Sequence, residues 1–224
     1  MFGNNSFGRR AMVSTNLVII NALIWFASLV LPKLGIDLVE LLGMHYWRSE
    51  EFNLVQVITY MFVHDTSSIS HVFFNMFGVW MFGRVVESYW GPARFMTYYL
   101  LTGMGAALVQ QLSWMYEISN ILSNIPAGIE VPGYIFDQFV TIGASGALFG
   151  ILLAFGMMFP NAPLFLMFIP VPIKAKYMII GYGLVELFSG VANFTGDSVA
   201  HFAHLGGMLF GYILIKVWGV RRIH

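Results

Sequence analysis

The sequence predicts an all-α polytopic membrane protein: six transmembrane helices with a long, partly embedded first loop. Three observations carry that prediction. Of 224 residues, 58% are hydrophobic and 10% charged, with a mean hydropathy of +0.75, whereas a soluble domain carries about 25% charged residues to cover its surface. Six apolar runs approach the roughly 20 residues a helix needs to cross a bilayer. The charges, finally, are sorted by sign between the two ends of those runs.

Taken in order, the first span lies near 12–31. It follows MFGNNSFGRR and shows no small-residue cleavage site after it, so it reads as an anchor rather than a removed signal peptide. The connection 32–70 contains Phe52 to Val63, apolar but too short to cross, which fits a re-entrant or interfacial piece. The second and third spans fall near 71–90 and 95–115. A second long connection, 116–142, holds Pro126, Gly128, Pro132 and Gly133. The fourth span, near 143–160, is closed by Pro160, Pro163, Pro170 and Pro172, since proline cannot continue a helical ladder. The fifth and sixth spans lie near 177–194 and 199–218. No repeat or low-complexity segment divides the chain, so residues 1–224 read as a single domain.

An even number of spans puts both termini on one side. Arg9, Arg10, Arg84, Arg94, Lys174, Lys176, Lys216, Arg221 and Arg222 gather at one face, and only Lys33 and Arg48 fall at the other. By the positive-inside rule this predicts an N-in, C-in topology. Nine acids lie in the opposite connections, Asp137 and Asp197 among them; Glu87 stands near the inner face and Glu186 inside the fifth span.

Several function classes fall away. Eleven basic against eleven acidic residues leave no electrostatic footprint for nucleic acid. The absence of cysteine excludes disulfides, thiolate metal sites, iron–sulfur clusters and a cysteine nucleophile. No H-E-x-x-H occurs, and no Asp lies within a span, so the zinc and aspartyl routes to intramembrane proteolysis lack their residues. No metal or cofactor is expected.

Polar side chains inside spans are costly in lipid and therefore mark function. His71 and Asn75 stand four residues apart on one face at the start of the second span. Ser145 opens the fourth, and His201 and His204 open the sixth. These three spans all run inward from the outer face, so the clusters share one depth. A serine hydroxyl needs a base to become a nucleophile, and His204 can serve Ser145 in that role. The free N–H groups at the start of the fourth span, with His71 and Asn75, supply donors for an oxyanion. Gly143 and Gly146 beside the serine permit close backbone approach. Taken singly each feature has a plainer reading. Gly146 with Gly150, or Gly207 with Gly211, reads as helix packing, and a lone serine in a span as bonded to its own helix. Convergence at one depth is what favours catalysis.

At these residues the chain resembles the rhomboid family of intramembrane serine proteases, from about residue 12 to 218. The motifs are Gly143-Ala-Ser145-Gly146, Ala203-His204-Leu-Gly-Gly207 and His71-Val-Phe-Phe-Asn75. Glu87 with Gly91, Gln110 and Gln111, and Gly207-x-x-x-Gly211 match as well. The resemblance implies a compact rhomboid-like bundle in which Ser145 is the nucleophile and His204 the base. It further implies that His71, Asn75 and the Ser145 N–H form the oxyanion hole, and that the Gly207/Gly211 face packs the sixth helix on the fourth. Residues 204, 207 and 211 share one helical face, which selects His204 over His201; His201 would be structural or cavity-lining. Two departures stand out. Val55-Gln56 occupies the place of a Trp-Arg pair in the first loop, and Phe149, which can stack but cannot hydrogen-bond as Tyr would, stands where an aromatic often packs on the imidazole.

The expected activity is therefore hydrolysis of a peptide bond in or next to a transmembrane segment by a Ser145–His204 dyad. Asp197 is expected to cap the sixth helix rather than join the dyad. Expected partners are single-span membrane protein substrates and the lipid bilayer, with no obligatory protein partner. The expected location is a bacterial cytoplasmic membrane, the site opening to the outer side. Two alternatives are a catalytically inactive relative that binds membrane proteins and a proton-coupled transporter using His71, His204 and Glu186.

Overall fold

A computed structural model describes residues 12–126, 132–165, 171–192, 200–220 and 222–223. The leading MFGNNSFGRR segment, Gly128, Pro170, Asp197, Arg221 and residue 199 of the expected sixth span lie outside the described residues.

The chain opens with α1 (Met12–Val30), which ends in a 3-10 turn (Leu31–Leu34) at Pro32 and Gly35. α2 (Leu38–Leu42) is capped by the Asp37 carboxylate, which accepts from the N–H groups of Val39 and Glu40. β1 (Met44–His45) follows, then α3 (Gln56–Thr59) and a 3-10 turn (Tyr60–Phe62). α4 (Ile69–Gly78), capped by Ser68, passes through a π-helical stretch (Val79–Gly83) directly into α5 (Arg84–Trp90), making one continuous helix. α6 (Pro92–Ser123) starts at a proline suited to a first helical turn. α7 (Tyr134–Asp137) precedes β2 (Val140–Thr141), which pairs antiparallel with β1, Met44 opposite Thr141. α8 (Ser145–Met158), the hairpin of β3 (Pro163–Phe165) and β4 (Pro172–Lys174), α9 (Ala175–Ala192) and α10 (His201–Val217) complete the order.

A helix thus stands at each of the six expected spans. By length and composition two stretches, Met12–Leu34 and Ile69–Trp90, are apolar and long enough to cross a membrane unaided; α8 and α10 are apolar but shorter, at 14 and 17 residues. The third span differs most from expectation: its helix continues to Ser123, well past 115. The reason is local. No breaker intervenes before Pro126, and Trp114 and Ile118 are buried, Trp114 packing edge-on to Tyr46 and Phe139.

α8 sits at the centre. It is apolar all round, and ten of its residues from Gly146 to Met158 are buried, the pattern of a helix enclosed by others. α10 packs most extensively on α6 and α8. Small residues permit that approach: a Cβ on Gly206 would meet Val109, one on Gly150 would meet Thr102, and Tyr98 donates its hydroxyl to the Gly150 carbonyl at 2.8 Å. Polar groups are tied down inside. Glu87 accepts from the N–H groups of Val13 and Ser14 and from the Ser14 hydroxyl, which caps α1. The outer surface is the reverse, with Leu23 and Phe26 on α1 and Leu184, Val185 and Phe188 on α9 exposed. Polar inside and apolar outside is the arrangement that lipid favours over water.

Candidate active site

The first loop is held by amides. Gln111 donates to the His45 carbonyl at 2.7 Å and accepts from the Trp47 N–H at 3.1 Å, while buried Gln56 donates to the Glu51 carbonyl and accepts from the N–H of Asn53. Arg48 lies over the Phe136 ring, 4.6 Å from its centroid. At Val55-Gln56, the place of the Trp-Arg pair, Gln56 thus ties the loop to itself, and Gln111 ties the loop to α6. Gln110, also buried, does not share this role; it lines a cavity of about 1040 Å³ between α6, β2 and the start of α10.

So anchored, the apolar piece 52–63 is divided: Leu54, Val55 and Ile58 on its first half are exposed, and its end turns inward. Tyr60, Met61, Val63 and His64 are fully buried, and the Tyr60 hydroxyl donates to the Gly103 carbonyl at 2.8 Å. This segment shapes the turn before α8. Gly143 donates its N–H to the Tyr60 carbonyl at 2.9 Å, and Ala144 donates its N–H to His64 Nε2 at 3.3 Å. Gly143 takes φ +118°, a conformation that L side chains rarely adopt, and a Cβ there would lie 2.9 Å from His71 Nε2. The turn delivers Ser145 as the first residue of α8, where backbone N–H groups have no intrahelical acceptor and the dipole is positive.

Opposite stands α10. His204 Nε2 and Ser145 Oγ are 2.8 Å apart, although the residues are 59 positions apart in the chain. The Phe149 ring, one turn below the serine, stacks on the imidazole with centroids 4.3 Å apart and planes 8° from parallel. Nδ1 of His204 faces α9, where Glu186 Oε2 lies 2.9 Å away; the same oxygen is 2.6 Å from His201 Nδ1. His201 is thus paired with Glu186 rather than with the serine. The ligating atoms of Glu186, His201 and His204 lie within 4.8 Å of one another.

On the third side, the Asp65 N–H points at His71 Nδ1 at 3.3 Å. That fixes the neutral tautomer of His71, leaving Nε2–H as a donor beside Gly143 and Ser145. Asn75 uses one amide hydrogen on the His71 carbonyl at 2.9 Å, which leaves a second for a ligand. Asp65 is bound in turn: hydrogen bonds from the Ser67 hydroxyl and N–H hold its carboxyl below the usual range. Burial, with His71 close by, pushes His64 down to about 3 despite an opposing bond to the Phe62 backbone. His64 is therefore neutral and able to accept from Ala144.

The structure brings Ser145, His204, His71 and Gly143 together, with Asn75 one turn below His71. Sequence reasoning missed His64. Its signal was a polar residue ending an apolar run too short to span, hence one buried in protein. It gave Glu186 a role only in the transporter alternative, although an acid inside a span needs a partner.

A serine at a helix start thus stands beside a histidine and faces donor groups within a bundle of largely apolar helices. A Rhomboid domain matches residues 51–221, and the chain belongs to the rhomboid family. It is 29% identical over 153 residues to RHOMBOID-like protein 12, mitochondrial, of Arabidopsis thaliana, covering 67% of this chain and 42% of that protein. It is 28% identical over 165 residues to Rhomboid protease AarA of Providencia stuartii, 69% of this chain and 52% of that one. Rhomboid protease GluP of Bacillus subtilis is 25% identical over 156 residues, 69% of this chain and 24% of its own. The chain spans about half or less of the length of these relatives.

Proposed function

We propose that the protein is an intramembrane serine endopeptidase, cutting peptide bonds in or next to the transmembrane segments of single-span membrane proteins. The observation that carries this is the 2.8 Å contact between Ser145 Oγ and His204 Nε2 at the start of a helix. In the proposed reaction the Ser145 hydroxyl gives its proton to His204 Nε2 as Oγ bonds to the scissile carbonyl carbon. The resulting oxyanion is met by the Ser145 N–H, His71 Nε2–H and the spare Asn75 amide hydrogen, with Gly143 leaving room for substrate. Collapse breaks the C–N bond, the leaving amine taking the proton from His204. Water then attacks the acyl-enzyme, giving its proton to His204, which returns it to Ser145 as the second product leaves.

The reading includes six spans in one domain over 1–224, both termini inside and the site opening outward. The sign-sorted charges and the apolar rims of α1 and α9 support it. Relatives from mitochondria and bacteria support a membrane rather than a particular one, so the bacterial cytoplasmic membrane remains a proposal. Labelling with a fluorophosphonate, which reacts only with an activated serine, separates a protease from an inactive binding relative. The expected result is adduct on Ser145 in folded, detergent-solubilised protein; folded protein that takes no label contradicts the reading.

A further inference from the structure

One acid lies inside the helical bundle beside the catalytic pair. Glu186 is carried by α9, a third helix, neither that of Ser145 nor that of His204. Gly183, Glu186 and Gly190 share one face of α9, at i, i+3 and i+7. The two glycines bring that face against α10: a Cβ on Gly183 would lie 3.3 Å from Met208, and one on Gly190 would lie 3.2 Å from both His201 and Phe202. Between them the carboxylate is shielded, its side chain 13% exposed and that of His204 9%. Oε2 stands 2.6 Å from His201 Nδ1 and 2.9 Å from His204 Nδ1.

These spacings decide between two uses of the cluster. A tetrahedral zinc ion with bonds of about 2.05 Å holds its donor atoms about 3.3 Å apart. A gap of 2.6 Å is too short for two ligands of one ion and matches a charge-assisted hydrogen bond. The His201 bond is well aligned. The His204 contact has the distance but approaches off the line of the ring N–H, as hydrogen bonds of catalytic groups often do before substrate binds.

We propose that Glu186 is a positioning residue for catalysis, completing a Ser145–His204–Glu186 chain across α8, α10 and α9. The proposal rests on the hydrolytic reading above. The carboxylate accepts the His204 Nδ1 proton and so fixes the tautomer whose Nε2 lone pair faces the Ser145 hydroxyl. When Ser145 gives up its proton, both ring nitrogens carry hydrogen, and the carboxylate stabilises the cation formed. Phe149 fixes the plane of the ring, and Glu186 fixes its rotation in that plane. His201, bonded to the same oxygen, anchors the carboxylate from the outer side.

The test uses the full chain reconstituted in liposomes with a single-span reporter. Glu186→Gln keeps the shape and removes the charge. Its kcat is expected to fall on the order of 10²-fold with KM within about twofold, and Glu186→Asp is expected to recover part of the loss. A Glu186→Gln kcat within twofold of wild type overturns the proposal, as does an equal loss in Glu186→Asp and Glu186→Gln at unchanged thermal stability. A second measurement needs no activity: histidine-selective 15N NMR of the full chain in micelles, with the His204 Nδ1 proton assigned by its loss in His204→Asn. A strongly downfield proton that disappears in Glu186→Gln supports the chain. Its absence from wild type overturns it even if Glu186→Gln fails to fold. Should no variant or wild type cleave while that resonance is present, the hydrolytic reading fails and the hydrogen bond stands.

Discussion

Gly207 on α10 rests directly on the Gly146 carbonyl of α8, so that a Cβ on Gly207 would run into that oxygen. Nothing but glycine fits between two backbones at this distance. The contact lies one turn from His204 and one residue from Ser145, so the same approach that packs the helices sets the 2.8 Å gap between base and hydroxyl.

Gly207→Ala is therefore expected to destabilise the protein by about 1–3 kcal/mol, the usual cost of overpacking, and to lower cleavage at least tenfold by displacing His204. Gly181→Ala, with nothing within 4 Å of the added Cβ, is the neutral control. Thermal unfolding in detergent and reporter cleavage check both.

Gly143 faces a double demand, its φ of +118° and the His71 ring 2.9 Å from any Cβ. Gly143→Ala is expected to cost about 1–3 kcal/mol in backbone strain. It is also expected to reduce kcat more than Gly207→Ala at matched stability, because it moves the oxyanion donors themselves. A kcat above that of Gly207→Ala contradicts this.

The Phe149 stack on His204 is worth about 0.5–1.5 kcal/mol. If that holds the imidazole in its reactive plane, Phe149→Leu lowers kcat about 3–10-fold while Phe149→Tyr stays near wild type. Steady-state kinetics in liposomes distinguish the two.

His64 gives a pH dependence of stability. Its folded-state value of about 3 lies below the ordinary 6.5, so the unfolded chain binds a proton between these values that the folded chain does not. Stability is thus full above about pH 6.5 and falls as pH drops towards 3, by up to about 1.4 kcal/mol per pH unit. Unfolding measured from pH 7 to 5, where Asp65 stays ionised, is expected to show this slope in wild type and a shallower one in His64→Gln.

Much of this was legible in the sequence because lipid makes polarity informative. Ser145, His204 and His71 stood out as polar residues that apolar helices do not retain without cause, Gly143 as room for close backbone approach, and the 204, 207, 211 register favoured one of two histidines. Asn75 was legible as a donor, but not that half its amide is spent on the His71 carbonyl. What escaped reading depends on contacts remote in sequence. His64 acts through Ala144, 80 positions away, and Gln111 clamps a loop 66 positions before it. The extension of α6 to Ser123 was missed because the expected span was cut to bilayer length, although nothing in the chain stops the helix there. Glu186 was visible as an anomaly, yet only packing of α9 on α10 shows which histidines it meets.

In the proposed reaction Ser145, activated by His204, cuts a membrane-spanning substrate. The most direct measurement compares wild type with Ser145→Ala and His204→Ala in liposomes holding a single-span reporter, with products mapped by mass spectrometry. Wild type is expected to make one cut in or beside the reporter's transmembrane segment, and both variants to lose more than about 10³-fold in rate. Cleavage that survives Ser145→Ala would contradict that reaction.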